Sequence, residues 1–194
     1  MEHGSNIRKS DYPIDKIFLN RWSPRAMSGE PVTDNEMFTL FEAARWAPSS
    51  YNIQPWRFIY AKRDTNEWTT FFNLLGEFNQ LWCKNAAALI CLIAKKIDGE
   101  GKPNRNAVSD AGAAWENLAL QASISGLVAH GMNGFDYDRA KTELEIPDDY
   151  QVVHMIAIGK PGSISSIPER MQKAEHPSDR KPLKELIFEG KLKK

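Results

Sequence analysis

Hydrophobic spacing along the chain switches between helical and strand-like periods. Met37, Leu40, Phe41 and Ala44 recur at helical spacing behind Thr33-x-x-Glu36, a capping-box pattern, so a helix is predicted from about Asp34 to just before Pro48. Trp56, Phe58 and Tyr60 alternate with Arg57 and Ile59 and predict a strand. Thr65 to Leu75 suits a second, short helix, and the unbroken apolar run Ala86 to Ala94 suits a strand covered on both faces. From about Val108 to Ser125, the stripe Ala111, Trp115, Leu118, Ala119 and Ala122 predicts a buried helix, with Gly126 at its C′ position. Tyr137 to Leu144 reads as a short helix ending near Pro147. Gln151 to Ile158 reads as a strand with Val152, His154, Ile156 and Ile158 on one side.

These elements imply a layered core of helices and strands, with no repeat and no linker long enough to divide it. A single domain over 1–194, with its core at about 15–190, is therefore expected; a chain of this length can bury roughly 70% of its unfolded surface. Ile97 to Asn106 is polar and rich in chain breakers, so it should be an exposed loop. The charged C-terminal part contains Pro161, Pro168, Pro177 and Pro182 and should wrap over a surface.

Charge narrows the partners. Lys plus Arg and Asp plus Glu both total 25, so no electrostatic footprint for nucleic acid or an anionic membrane exists. The longest apolar run is too short to cross a bilayer, and no signal-peptide pattern opens the chain, so a soluble, cytoplasmic protein is expected. Cys83 and Cys91 lack metal-ligand spacing and read as two reduced thiols. No Gly-x-Ser-x-Gly elbow, P-loop or Gly-x-Gly-x-x-Gly fingerprint is present.

Two segments carry a more specific signal. Ala43 to Phe58 reads AARWAPSSYNIQPWRF, an apolar helix stopped by proline and followed by compact hydrogen-bonding side chains; Arg21-Trp22-Ser23-Pro24-Arg25 places two guanidiniums and a hydroxyl at alternate positions, a set suited to one anion. Together they resemble the nitroreductase family of FMN-dependent oxidoreductases. The resemblance implies an α+β fold with a central, mostly antiparallel sheet flanked by helices, and FMN at a homodimer interface.

It further implies that Arg21, Ser23 and Arg25, within the motif that includes Trp22, hold the FMN phosphate, to which Arg180 of Arg180-Lys181-Pro182-Leu183 returns. Pro48, Ser49, Ser50 and Asn52 would line the flavin's edge. Asn79 is either a pyrimidine-facing ligand or a turn residue, and where the family often carries a basic residue three positions later this chain has Trp82, with Lys84 beyond. His130-Gly131-Met132-Asn133-Gly134-Phe135-Asp136 is similar to the family's loop over the flavin, so Met132, Asn133 and Gly134 lie near N5 by this resemblance; the same glycines also suit a tight turn. His130 and His154 read as structural histidines. The implied chemistry is ping-pong hydride transfer from NADH or NADPH through FMN to a nitroaromatic or quinone, with no catalytic side chain of its own. Other flavin chemistries on the same fold, or a non-enzymatic FMN-holding protein, remain open alternatives.

Overall fold

A computed structural model describes residues 4–192; the ends of the expected 1–194 domain lie outside them. Four antiparallel strands form one sheet in the order β1-β2-β4-β3: β1 (Trp56–Lys62), β2 (Ala88–Lys95), β3 (Val128–Met132) and β4 (Tyr150–Gly159). Among the described residues seven α-helices flank it: α1 (Lys16–Asn20), α2 (Asp34–Arg45), α3 (Trp68–Leu74), α4 (Glu77–Cys83), α5 (Ala107–Ile124), α6 (Tyr137–Glu143) and α7 (Glu169–Gln172). This is the expected α+β class, and none of these helices is long and apolar enough to cross a membrane.

Central strand β2 organises the layers. All its residues but Lys95 are buried, and its side chains alternate between two apolar clusters. Ala88, Ile90, Leu92 and Ala94 meet α2 and α5, whereas Leu89, Cys91 and Ile93 meet the side that contains Phe71, Leu74, Trp82 and Ala140. Burial on both faces explains its unbroken apolar sequence.

Local signals place the two long helices. The Thr33 hydroxyl accepts from Glu36 N–H at 3.1 Å while the Thr33 N–H donates to the Glu36 carboxylate at 2.7 Å, closing the capping box at the start of α2. Beyond α5, Gly126 has φ +70°, Leu127 N–H donates to Ala122 O and Gly126 N–H to Ser123 O, so the helix closes with a Schellman motif.

Four details depart from the periodicity. Helix α3 begins at Trp68 because Asp64 (φ 67°) and the Thr65 hydroxyl bonded to Lys62 O make a turn first. Helix α4 is too short for its stripe, Asn79, Trp82 and Cys83, to stand out. Strand β3 runs through His130 and Gly131, which read as a loop in sequence. The register shifts between Leu92, opposite His154, and Ile93, opposite Val152, so Val153 is bulged and Val152 joins the cluster opposite His154.

The chain after β4 returns to the start of the fold. Met27 forms an isolated bridge with Pro161, and Ser28 N–H and Gly162 N–H donate to Lys160 O and Ala26 O. A Cβ on Gly162 would stand 2.4 Å from the Met27 carbonyl carbon, so backbone approaches backbone here. Gly162→Ala should lower stability by about 1–3 kcal/mol, the usual cost of overpacking, seen as a reduced denaturant midpoint; an unchanged midpoint would contradict this contact's importance.

Candidate functional site

Residues Arg21 to Ala26 run beside edge strand β3. His130 Nδ1 lies 3.0 Å from Pro24 O. Because the carbonyl only accepts, Nδ1 carries the proton and Nε2 is left as an acceptor. Burial outweighs hydrogen bonding to the Pro24 and Ser23 backbone and pushes the His130 pKa down to about 4, helped by the Arg25 charge, so the ring is neutral near pH 7. Its ring meets Trp82 at a tilt of 45°, with ring centroids 4.7 Å apart.

A cleft of about 340 Å³ opens over this segment, lined by Arg8, Arg21, Trp22, Ser23, Arg25, His130, Ala174, His176, Ser178 and Arg180. The structure thus brings Arg21, Ser23, Arg25 and Arg180 to one place from opposite ends of the chain. It adds Arg8, whose guanidinium pKa is lowered first by burial and then by Arg180 and Arg21, with Asp179 opposing. Two carboxylates stand at the border: Glu116 is 3.6 Å from Arg21 and Glu175 is 3.8 Å from Arg25. The balance favours an anion.

Two further clefts continue along β3. One, of about 290 Å³, shares Arg21 and Ser23 with the first and adds Trp115, Glu116, Gly131, Met132, Asn133 and His154. The other, of about 440 Å³, shares His130 with the first and is lined by Gly76 to Asn79 and by His130 to Gly134. The three clefts share lining residues and so adjoin one another as a trough, with the arginines gathered in the first. Within it, His154 Nε2 is a buried nitrogen without a hydrogen-bond partner, its pKa held at about 4 by burial, and its ring meets Trp115 edge-on at 5.3 Å.

At the far end, backbone is brought close by small residues. Gly134 O accepts from both Gly76 N–H and Asn79 Nδ2, each at 2.9 Å, and Trp82 Nε1 donates to Asn79 Oδ1 at 3.2 Å. A Cβ on Gly134 would sit 2.7 Å from Asn79 Nδ2. Asn79 is therefore a helical residue that ties the glycine segment down, with one amide hydrogen and one lone pair to spare. Trp82 is fully buried behind it, while Lys84 is exposed and lines none of these clefts. Met132 lines two of the clefts, with its sulfur 3.7 Å from Cys83 Sγ. Asn133 Oδ1 accepts from the Tyr137 hydroxyl at 3.3 Å, leaving its amide hydrogens free to face a ligand.

Pro48, Ser49, Ser50 and Asn52 are not brought to these clefts within their own chain. Ser50 N–H donates to Asp110 on α5, and the Ser49 hydroxyl accepts from Gln54 N–H. Tyr51, Asn52 and Gln54 all have φ between 51° and 55°, a rare conformation for non-glycine residues and a common mark of functional corners. Tyr51 points outward, 97% exposed. Trp56, by contrast, is core. Sequence reasoning did not assign Arg8, Trp115, His176 or Glu175 to the site, since no motif surrounds them and only tertiary contact places them there.

A sequence profile of the nitroreductase family matches residues 19–78 and 61–160. The chain belongs to this family. A crystal structure described as an oxidoreductase containing FMN superposes with a TM-score of 0.93 and 45% identity, covering 100% of this chain and 99% of that one. A Desulfovibrio desulfuricans structure in complex with FMN gives a TM-score of 0.73 and 25% identity, with coverage of 95% and 100%. An NADH dehydrogenase from Thermus thermophilus is 26% identical over 88% of this chain and 92% of its own length.

The two neutral histidines make stability depend on pH. In the unfolded chain they protonate near the ordinary 6.5, but in the fold only near about 4. The unfolded state thus binds more protons in between, and stability falls as pH drops from 6.5 toward 4, by up to about 1.4 kcal/mol per pH unit for each histidine. Denaturant titrations across this range should show that slope, reduced in His154→Asn; an identical slope in the variant would contradict the assignment.

Proposed function

We propose that this protein is an FMN-dependent oxidoreductase that accepts electrons from NADH or NADPH and delivers them to a small electron-poor acceptor such as a nitroaromatic or quinone. The observation that carries this reading is the trough itself, with converging arginines at one end and bare backbone of a glycine-containing strand at the other. That polarity fits a ligand with a phosphate at one end and a flat ring at the other, and the relatives containing FMN support the same choice. Bound FMN supplies the hydride exchange between donor and acceptor.

The protein's own groups hold and tune that ligand. Arg21, Arg25 and Arg180 offer charged donors to the phosphate, joined by the Ser23 hydroxyl. Asn79 presents its spare amide hydrogen and lone pair to the pyrimidine edge, and Asn133 presents amide hydrogens beside the segment Met132–Gly134. With Trp82 buried and Lys84 outside the clefts, no lysine among the described residues lines the cleft beside Asn79 to favour a negative charge on the ring. His130 and His154 are neutral and add none.

The outward corner Pro48–Asn52 completes the site in a homodimer, reaching the trough of the second copy. Exposed Phe38, Trp46, Tyr51 and Ile124 supply apolar surface for such a contact. The absence of a dinucleotide-binding fingerprint leaves the nucleotide to visit the flavin in turn with the acceptor.

An anaerobic absorbance experiment tests the reading. Protein reconstituted with FMN should bleach on addition of NADH or NADPH and recover its flavin bands when a quinone or nitroaromatic follows. Arg21→Ala with Arg25→Ala should weaken FMN binding by about 100-fold or more, as expected for two charge-assisted contacts. Flavin that the nucleotides cannot bleach would refute the activity, and unchanged FMN affinity in the double variant would refute the phosphate assignment.

A further inference from the structure

Two buried side chains from remote segments hold the arginine-bearing segment in place. Arg8, only 7% exposed, donates through Nη1 to Leu19 O at 2.8 Å and Arg21 O at 2.7 Å, and through Nε to Ser178 O at 2.7 Å. One guanidinium therefore ties the start of the chain, the segment that carries Arg21 and the C-terminal tail that carries Arg180. Glu175, with its side chain 4% exposed, accepts through Oε1 from Arg25 N–H at 2.6 Å and Ala26 N–H at 2.8 Å. Its Oε2 is buried without a hydrogen-bond partner, 3.8 Å from Arg25 Nη1.

This arrangement has a free-energy cost that an anion relieves. Arg8, Arg21 and Arg180 repel one another across the cleft, and a buried carboxylate oxygen without a hydrogen bond is unfavourable. A phosphate among the arginines replaces repulsion with charge-assisted hydrogen bonds. Arg25 lines the cleft with its Nη1 3.8 Å from Glu175 Oε2, within reach of both Glu175 and such a phosphate. Because Arg8 and Glu175 grip both the Arg21–Ala26 segment and the tail, whatever favours one docked segment favours the other, and the coupling is reciprocal.

We propose that Arg8 and Glu175 are positioning residues that couple docking of tail residues 174–180 to binding of the ligand's phosphate. This rests on the reading that the arginine cleft receives the FMN phosphate. The tail closes the cleft when the phosphate enters, and loosens when it leaves.

Riboflavin, which lacks the phosphate, separates this role from general support of the fold. Flavin-free protein is titrated with FMN and with riboflavin by fluorescence quenching, for the wild type, Arg8→Gln and Glu175→Gln, and hydrogen exchange is followed at residues 174–180. Wild type should prefer FMN, and each variant should reduce that preference by about tenfold or more while riboflavin affinity stays within about twofold. FMN, and not riboflavin, should slow exchange in the tail, and the variants should lose this difference. If Arg8→Gln does not fold, Glu175→Gln carries the test, since its side-chain oxygen keeps both backbone contacts. Variants that retain the preference, or that lose both flavins in parallel, overturn the coupling, as does equal tail protection by the two ligands. A wild type that binds FMN and riboflavin equally well overturns the phosphate assignment itself, and the coupling with it.

Discussion

Like charges gathered in a partly buried cleft oppose folding unless the surrounding structure holds them there. Arg8, Arg21, Arg25 and Arg180 come from three separate parts of the chain, and their convergence depends on Glu175, on backbone carbonyls and on the tail lying against the first segment. Much of the fold's outer layer is accounted for by this constraint. The Met27–Pro161 bridge brings the chain after β4 back to Ala26, the tail follows, and Arg180 arrives where Arg21 and Arg25 already lie. Under the proposed function, an anion bound among these arginines would offset the free-energy cost of confining their charges.

The sheet sets the other end of the trough. With β2 and the second half of β4 buried between two apolar layers, β3 is left as an edge strand, and its glycine and the one beyond it keep backbone accessible. Asn79 and Trp82 of α4 brace that edge from one side, while Trp115 of α5 and His154 of β4 bound it from the other. Neutral histidines at both places leave the arginines as the main source of positive potential along the trough. The proposed homodimer then accounts for the strained corner at Tyr51 to Gln54, which faces away from its own trough.

Local and nonlocal information divided clearly in this chain. Helix α2 was legible because Thr33 and Glu36 cap it within four residues, and β2 because burial on both faces leaves only apolar residues. Strand β3 was not legible: His130 and Gly131 look like a turn until β4 pairs with them. The face of Val152 was misread because one bulged residue reverses the alternation. Within the site, Arg21, Ser23, Arg25 and Arg180 were legible as motif residues, and the structure gathers them. Pro48 to Asn52 were legible as a corner, but their own chain keeps them from the trough. Arg8 and Glu175 had no signature, since their partners lie up to 170 positions away in sequence and only folding reveals the contact.

The most direct test of this account is a crystal structure of the protein grown with FMN. The account predicts phosphate density among Arg21, Ser23, Arg25 and Arg180, with the ring along Gly131 to Gly134 and beside Asn79. Flavin density elsewhere on the molecule, or a ring at the arginine end with the phosphate in solvent, would contradict it.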